Sequence, residues 1–378
     1  MSTTTTIQPK LPRVIITTAG FGEGHNSAAK HIAVALDGRA EVEIVDPCEL
    51  GAPWVNQKIQ TLYRFITTHA PKTWSRIYKS TDHRDFSKEQ LPLMRHPEQA
   101  LHESLISFNP ELIFSTYPLY PYFIERSFQR GANKVPVITV ITDSIEINSS
   151  WTKAPTDFWF VTDPTTKSKM VASGIPHEKI IITGFPVHPR FRKLSPIPAD
   201  SDCRTFRVLY FPTAKKPIVR RILRAILENS NCRTEVTVVL GRNVRKLYSK
   251  AREIQMEFPG RVEIKGWTRS VPELLTSHHL VIGKAGGATV HEAIAAQTPM
   301  FIHHLVPGQE EGNLRLLDEI GAGLLTESSK QIKTTLEALT AEDAKQWRKM
   351  KNNLANSSLA CGARSAADFA LKHLEQQS

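Results

Sequence analysis

The sequence has few cysteines and no long apolar run. Its four cysteines, Cys48, Cys203, Cys232 and Cys361, are far apart and form no C-x-x-C pair. This spacing suggests neither a disulfide framework nor a zinc site, and it fits a reducing cytoplasm. No stretch approaches the roughly eighteen apolar residues of a membrane-spanning helix, and MSTTTTIQPKLPR at the start lacks the apolar run of a secretory signal. We therefore expect a cytoplasmic protein that meets a membrane only from its side.

Positive charge is in excess. The 378 residues include 48 Lys and Arg against 37 Asp and Glu, which gives a formal net charge of +11. This excess favours anionic partners, which include nucleic acid, phosphorylated small molecules and the anionic face of a bilayer. The cations are spread through the chain and no aromatic-rich RNA-binding strand motif or zinc finger accompanies them, so we expect no nucleic-acid partner.

Short β-branched strands alternate with helical segments along most of the chain. RVIITT (13–18) precedes a glycine loop and a helix, and VEIVD (42–46) follows as the next strand. The pattern stops at a polar, proline-bearing stretch and restarts with FRVLYF. We therefore predict an α/β protein with two Rossmann-like domains that face each other across a ligand cleft. The predicted limits are 1–192, a linker at 193–205, 206–350, and a C-terminal helix within 351–378 that is expected to pack back on the first domain.

Residues 54–84 interrupt this alternation with rings and cations. The interleaved residues are Trp54, Lys58, Tyr63, Arg64, Phe65, Lys72, Trp74 and Arg76. One interpretation is an amphipathic helix pair whose aromatic side chains pack on their own domain. The other is a membrane-surface patch, in which rings lie at headgroup depth and each cation contributes roughly 1 kcal/mol near anionic lipid.

A glycine-rich turn connects the first strand to its helix. GFGEGH places Gly20, Gly22 and Gly24 at G-x-G-x-G spacing, which is not the dinucleotide fingerprint. Such a turn either needs a positive φ angle or lets the backbone approach a ligand closely. His25 lies where the loop enters the helix, at the carboxyl end of the sheet, so we expect its side chain to face the cleft.

The second half carries two further signals. In GKAGGATVHEA, Gly286 and Gly287 open a helix whose first turn, through Ala288 and Thr289, is suited to a diphosphate. Glu292 follows one turn later and is suited to the two hydroxyl groups of a ribose, although an acidic residue near a helix N-terminus is also common for dipole reasons. In VPGQEEGN, Gln309 and Glu310 offer hydrogen-bonding groups for sugar hydroxyls. Solvated loop charge is the alternative for either residue.

Four motifs together resemble a known family. They are GxGHxxAA (22–29), TGFPVHPRF (183–191), GKAGGATVHEA (283–293) and PGQEEGN (307–313). Their combination resembles the monogalactosyldiacylglycerol synthases and processive diacylglycerol glucosyltransferases, and more distantly the N-acetylglucosaminyltransferase of peptidoglycan precursor synthesis. The resemblance runs from Arg13 to Gly323 and implies the GT-B fold. The chain departs from the family at STYP (115–118), at Asn148, and at FPTAKKPIVRR, where Lys215 and Lys216 offer cations for a diphosphate.

The resemblance implies inverting transfer of a hexosyl group from a UDP-sugar to a lipid acceptor such as diacylglycerol, without metal or other cofactor. His25 matches the proposed base of the family, in a glycine loop with Gly22, Gly24 and Asn26 that faces the acceptor. Asp143 is either an orienter of His25 or the base itself. The remaining expected donor ligands are the helix amides of 286–289 for the diphosphate, Glu292 for the ribose, Gln309 and Glu310 for the sugar, and the backbone near Trp267 and Thr268 for the uracil.

Other functions stay open at this point. A UDP-sugar epimerase of the same fold needs neither lipid nor acceptor, and a transferase with an acceptor other than diacylglycerol fits the same donor motifs. A UDP-sugar sensor without catalysis needs Glu292 but not His25. We expect the partners to be a UDP-sugar, a lipid acceptor and an anionic membrane surface. The sequence is silent on the particular sugar and on oligomeric state.

Overall fold

The computed structural model describes residues 10–70, 73–76, 80, 86, 92–213, 216–308, 310–357 and 362–377. They form two six-stranded sheets, both fully parallel. The strands are β1 Arg13–Thr17, β2 Glu41–Val45, β3 Leu112–Ser115, β4 Val137–Val140, β5 Phe158–Val161, β6 Ile180–Ile182, β7 Thr205–Tyr210, β8 Arg233–Val239, β9 Val262–Lys265, β10 Leu280–Lys284, β11 Met300–His304 and β12 Gly323–Leu325.

Helices connect the strands and cover the sheets. They are α1 Glu23–Leu36, α2 Pro47–Gly51, α3 Pro53–His69, α4 Arg95–Phe108, α5 Tyr120–Gln129, α6 Ser149–Thr152, α7 Pro164–Ala172, α8 Lys216–Leu227, α9 Val244–Glu257, α10 Val271–Ser277, α11 Gly287–Ala295, α12 Glu311–Ile320, α13 Ser329–Asn356 and α14 Gly362–Glu375. Short 3₁₀ helices lie at Pro92–Met94, His177–Lys179, Pro189–Lys193 and Gly241–Asn243. Helix α13 is interrupted between Ala341 and Ala344, where the backbone is not helical.

Strand order determines where ligands bind. The first sheet has the order β2-β1-β3-β4-β5-β6, and the second has β12-β11-β10-β7-β8-β9. In such sheets the crevice for a ligand lies at the carboxyl ends of the strands, where the strand order reverses. That position is between β1 and β3 in the first sheet and between β7 and β10 in the second. The predicted α/β fold class is thus confirmed, and the glycine loop after β1 and the GG turn after β10 both lie at these positions.

The two parts of the chain share an apolar core. We call residues 13–192 the first half and residues 205–357 the second half. Ile145 and Phe185 of the first half belong to the same buried cluster as Val290 of the second. Their continuous packing fixes the two sheets across one cleft.

The last helix packs against the first half. Ala363, Ala366, Ala367 and Ala370 of α14 are fully buried and lie in the same cluster as residues of α1. Phe369 contacts Phe158 with ring centroids 5.1 Å apart. Small side chains on this face let α14 approach closely. Helix α14 thus packs on α1 of the first half, and the predicted domain limits stay predictions.

Candidate active site

The glycine loop begins where β1 ends. Gly22 has φ +112°, a conformation that favours glycine. At Gly22 the turn therefore requires glycine for its positive φ angle. The amide of Gly20 donates to Asp46 Oδ2 at 3.0 Å, and the hydroxyl of Thr18 donates to Asn26 Oδ1 at 2.9 Å. The loop is therefore fixed by hydrogen bonds within the first half, and Asn26 contributes to that fixation. Because α1 starts at Glu23, His25 lies in its first turn.

His25 is buried and its tautomer follows from its contacts. Nδ1 lies 2.6 Å from the carbonyl oxygen of Thr116 and 3.0 Å from the hydroxyl of Thr142. A carbonyl oxygen only accepts, so Nδ1 carries the proton. Nε2 is then the basic nitrogen, and no described residue forms a hydrogen bond with it. Burial lowers the pKa of His25 to about 4, against the opposing effect of the Thr116 carbonyl. The ring is neutral at pH 7 and able to accept a proton.

Asp143 lies at the same cavity and is held by a different partner. Its Oδ2 accepts from Trp151 Nε1 at 2.9 Å. Burial raises the pKa of Asp143 to about 6; the Trp151 bond opposes this shift and the charge of Glu310 adds to it. The backbone of Thr116 and the hydroxyl of Thr142 orient His25 instead. Nδ1 of His25 is thus held by Thr116 and Thr142 and not by Asp143, and the two predicted roles of Asp143, as an orienter of His25 or as the base itself, stay predictions.

The GG turn of the second half faces the same region. β10 ends at Lys284, and α11 begins at Gly287, so the free N–H groups of its first turn point toward the cleft. Glu292 lies one turn further, half-buried, and no described residue pairs with its carboxylate. Burial raises the pKa of Glu292 to about 7. An unpaired acceptor beside a helix N-terminus suits a donor-ribose role, which stays a prediction.

Glu310 is less available than the sequence suggested. Its Oε1 lies 2.9 Å from Lys284 Nζ and its Oε2 accepts from the backbone amide of Val306 at 3.0 Å. Only 6% of Glu310 is exposed. The side chain therefore holds a cation and its own loop in place, in addition to any contact with a sugar. Gln309 lies outside the described residues.

Sequence reasoning missed two residues of this cleft. Lys284, the last residue of β10, brings a cation next to Gly286. Its pKa is raised by the charge of Glu310. Asn313 donates to the carbonyl of Ala285 at 3.0 Å, while its Oδ1 is buried with no hydrogen-bond partner among the described residues. The available signal was position alone, since both residues lie within the quoted motifs, Lys284 in GKAGGATVHEA and Asn313 in PGQEEGN.

Two cavities meet at His25 and Asp143. A polar cleft of about 120 Å³ lies between the halves and is lined by the glycine loop, the GG turn, Lys284 and Glu310. An apolar cavity of about 380 Å³ lies within the first half, under α3. Phe21, His25, Tyr63 and Asp143 line both. The two catalytic candidates therefore lie where a polar ligand and an apolar ligand would meet.

The ring-and-cation segment divides into two sets. Trp54 and Phe65 of α3 are 79% and 59% exposed, and Lys58, Arg64 and Arg76 are exposed as well. Tyr63 and Trp74 instead contact each other at 4.8 Å between ring centroids and line the apolar cavity. These two rings are half-buried and line the cavity, so they lie apart from the exposed side chains of α3, and the membrane-surface patch stays a prediction. Lys72 lies outside the described residues.

Other predicted ligands are placed less favourably. Trp267 is 61% exposed, with the Arg269 guanidinium 5.6 Å from its ring centroid, and the Thr268 hydroxyl accepts from the amide of Ser270. Like Glu292, neither Trp267 nor Thr268 is among the described residues that line the two cavities. Lys215 lies outside the described residues, as does the side chain of Lys216. Within the described ranges, no helix is long and apolar enough to cross a membrane and no cluster of His, Cys, Asp or Glu is arranged to hold a metal.

Comparison with solved structures defines the class. MurG from Acinetobacter baumannii has a TM-score of 0.62 at 11% identity, covering 97% of this chain and 99% of that chain. UDP-GlcNAc 2-epimerase from Neisseria meningitidis bound to UDP-GlcNAc has a TM-score of 0.57 at 14% identity, covering 96% and 100%. At such low identities these likenesses show the fold. The protein is a GT-B protein.

Sequence comparison narrows the class. Residues 25–187 match the family of monogalactosyldiacylglycerol (MGDG) synthase. A processive diacylglycerol beta-glucosyltransferase from Bacillus subtilis is 25% identical over 359 residues, which cover 92% of this chain and 92% of that protein. Residues 25–187 are thus similar to the MGDG synthase family, and the resemblance indicated by the four motifs is confirmed.

Proposed function

We propose that the protein transfers a hexosyl group from a UDP-sugar to the hydroxyl group of a lipid such as diacylglycerol, with inversion at the sugar carbon. The observation that supports this most directly is the junction of a polar cleft and an apolar cavity at His25 and Asp143. The relative from Bacillus subtilis is named as a transferase of this kind. An apolar cavity of this kind has no evident use in a reaction on a nucleotide sugar alone, which disfavours an epimerase.

The donor is bound by the second half. The N–H groups at the start of α11 and the Lys284 ammonium group face the region of the diphosphate, and Glu292 accepts from the ribose hydroxyls. As the bond between the sugar carbon and the diphosphate oxygen breaks, its electron pair passes to that oxygen. Donors that are already in place stabilise the developing charge without reorganising.

The acceptor is activated by the first half. The lipid hydroxyl attacks the sugar carbon from the side opposite the diphosphate, and its proton passes to Nε2 of His25. General-base assistance of this type contributes roughly a hundredfold to ten-thousandfold in rate. Ionised Asp143 stabilises the positive charge that develops on the sugar and on the imidazole ring.

The lipid enters the cavity beside α3. Ile59, Tyr63 and Ile66 face the cavity, whereas Trp54, Lys58 and Phe65 face outward. Leu50, three residues before α3, adds exposed apolar area nearby in the chain. We define the outer face of α3 as Trp54, Lys58, Arg64 and Phe65; Leu62 is exposed but also lines the cavity, so it lies at the edge between the two faces. This face lies against the anionic inner surface of the membrane, so that an acyl chain can pass from the bilayer into the cavity.

The test is a labelling experiment with three donors. Radiolabelled UDP-glucose, UDP-galactose and UDP-N-acetylglucosamine are incubated separately with the protein and vesicles that contain diacylglycerol, followed by extraction with organic solvent. We expect label in the lipid phase with one donor and a strong loss of it in His25→Ala. Label that enters total membrane lipid but not diacylglycerol would identify another acceptor. An altered UDP-sugar formed without lipid would favour the epimerase.

A further inference from the structure

The loop that carries Asp143 contacts the second half through two glycines. We call residues 142–146 the Asp143 loop. A Cβ atom at Gly287 would lie 2.8 Å from the carbonyl oxygen of Thr142. A Cβ atom at Gly312 would overlap the carbonyl oxygen of Ser144 and lie 2.7 Å from the amide nitrogen of Glu146. These are contacts between backbones that a larger residue would prevent.

The loop itself has a strained conformation. The amide of Glu146 donates to the carbonyl of Ser144 at 2.6 Å, which closes a three-residue γ-turn around Ile145. Ile145 has φ +59°, which is unfavourable for a β-branched residue, and it is buried. Such a conformation persists only where the surroundings fix it, and it is frequent at active sites.

A chain of hydrogen bonds joins the loop to α11. Asp163 accepts from the Thr162 hydroxyl at 2.6 Å, and Thr162 Oγ1 lies 2.9 Å from Ser144 Oγ. Since the Thr162 proton points to the carboxylate, Ser144 donates to Thr162 and accepts from Nε2 of His291 at 2.8 Å. The His291 ring stacks on Phe185 at 4.8 Å with an interplanar angle of 8°. Every member of this chain is buried.

The same carboxylate holds the other side of the turn. Thr166 donates its hydroxyl proton to Asp163 at 2.6 Å and accepts from the amide of Ile145 at 2.7 Å. The turn is therefore fixed by the first half through Asp163 and by the second half through His291 and Gly312.

We propose that His291 and Gly312 are positioning residues, which set the position of Asp143 relative to the donor cleft through their contacts with Ser144. This inference rests on the proposed function. The second half thus binds the donor and also fixes the carboxylate of Asp143, which directly precedes Ser144 in the chain. A shift of about 1 Å at such a group is enough to cost on the order of a hundredfold in rate.

Two substitutions at one position separate the hydrogen bond from the packing. His291→Phe keeps a ring on Phe185 but removes the donor to Ser144, whereas His291→Gln keeps an N–H donor at the position of Nε2 but removes the ring. With the acceptor saturating, we expect His291→Phe to lower kcat by about 10- to 100-fold, with KM for the donor and the Kd of UDP nearly unchanged. His291→Gln is expected to retain most of the wild-type kcat.

Thr165→Ala is the matched control, because the Thr165 hydroxyl also donates across the halves, to Glu319 at 3.0 Å, but at the surface. It should leave kcat unchanged. Gly312→Ala tests the contact between Gly312 and Ser144 independently, and it should lower kcat as His291→Phe does. Equal kcat values in His291→Phe and His291→Gln, or a loss of UDP affinity that accounts for the whole effect, would overturn the proposal.

Failure of the proposed function is distinguishable. If the wild-type protein forms no glycolipid, the rate of amide hydrogen exchange at residues 142–146 tests the positioning role of His291 instead. His291→Phe should then accelerate exchange at Ile145 and Glu146 relative to His291→Gln, and equal exchange in the two variants would reject the positioning role whatever the reaction is.

Discussion

At the scale of residues, one cause tunes His25 and Asp143 in opposite directions. Burial disfavours the charged form of either group, so it lowers the pKa of His25 to about 4 and raises that of Asp143 to about 6. At pH 7 the ring is therefore neutral and most of the carboxylate is ionised. This combination provides a proton acceptor next to an anion, as the proposed reaction requires.

The pH dependence of turnover follows from these values. With the donor saturating, activity that needs ionised Asp143 is present above about pH 6 and is lost as the pH falls through that value. His25 is protonated only near pH 4, so it does not produce this loss. We expect kcat of the wild-type protein to fall below pH 6 and Asp143→Asn, at its lower rate, to lack that fall. The initial rate of glycolipid formation between pH 4.5 and 8 measures it.

The same two positions decide which group is the base. His25→Ala should cut kcat strongly and leave UDP affinity nearly intact, since the imidazole serves the acceptor. If turnover survives in His25→Ala and collapses in Asp143→Asn, the base is Asp143 and the roles proposed above are reversed.

Glu292 gives a prediction that needs no acceptor. Burial raises its pKa to about 7, and ribose hydroxyls that donate to the carboxylate favour its ionised form. UDP binding should therefore release protons near pH 6.5 and weaken as the pH falls below 7. Calorimetry in two buffers with different ionisation enthalpies measures the protons released. Glu292→Gln is the matched control, because the proton release that comes from the Glu292 carboxyl group is absent in that variant. Glu292→Ala should weaken UDP binding by about 1–3 kcal/mol. Unchanged UDP affinity in a folded Glu292→Ala variant would reject the ribose role.

At the scale of elements, α3 has two apolar faces with separate roles. Its inner face closes the cavity, and its outer face exposes Trp54 and Phe65. Asn56 is almost fully buried and donates to Glu49 at 2.8 Å, which joins α3 to α2. A helix anchored in this way can expose large rings without losing its place in the fold.

Substitution of the outer face tests its contact with lipid. Trp54→Ser and Phe65→Ser together should lower sedimentation with diacylglycerol vesicles and raise KM for the lipid, while kcat for a short-chain acceptor stays near the wild-type value. Met256→Ser on α9 is the control, since Met256 is 71% exposed on the second half. Equal loss in both variants would show that exposed apolar area in general, and not this helix, determines binding.

Much of the element order could be predicted, because alternating strands and helices leave a strong pattern. The placement of His25 followed from topology, since a residue just after the first strand of a parallel sheet lies at its carboxyl end. The inward turn of Tyr63 and Trp74 did not follow, because a segment rich in rings and cations does not reveal which of its faces meets the protein. The pairing of Glu310 with Lys284 was also unpredictable, since it depends on the end of β10 meeting the loop that follows β11.

At the scale of the whole molecule, the contacts between the halves were least accessible from the sequence. The motif PGQEEGN does not reveal that Gly312 contacts the backbone of Ser144. That contact depends on the relative orientation of two sheets that different parts of the chain form. The same holds for His291, which reads as an ordinary helix residue until Ser144 is placed opposite it. Sequence patterns predict local structure, whereas a contact between the halves can be predicted only when the positions of both contacting surfaces are known.

The net charge of +11 acts on the molecule as a whole and gives the last prediction. Attraction between a cationic protein and an anionic leaflet is screened by salt, with a Debye length of about 10 Å at 0.1 M, whereas burial of Trp54 and Phe65 in the interface is not. We expect the protein to sediment with anionic vesicles at low salt and to be released as salt rises. Replacing Lys58, Arg64, Lys72 and Arg76 by glutamine should weaken this binding without lowering Tm, because Lys58, Arg64 and Arg76 are exposed. Equal sedimentation with neutral and anionic vesicles, or none with either, would contradict an electrostatic contact through α3 and require the lipid to enter elsewhere.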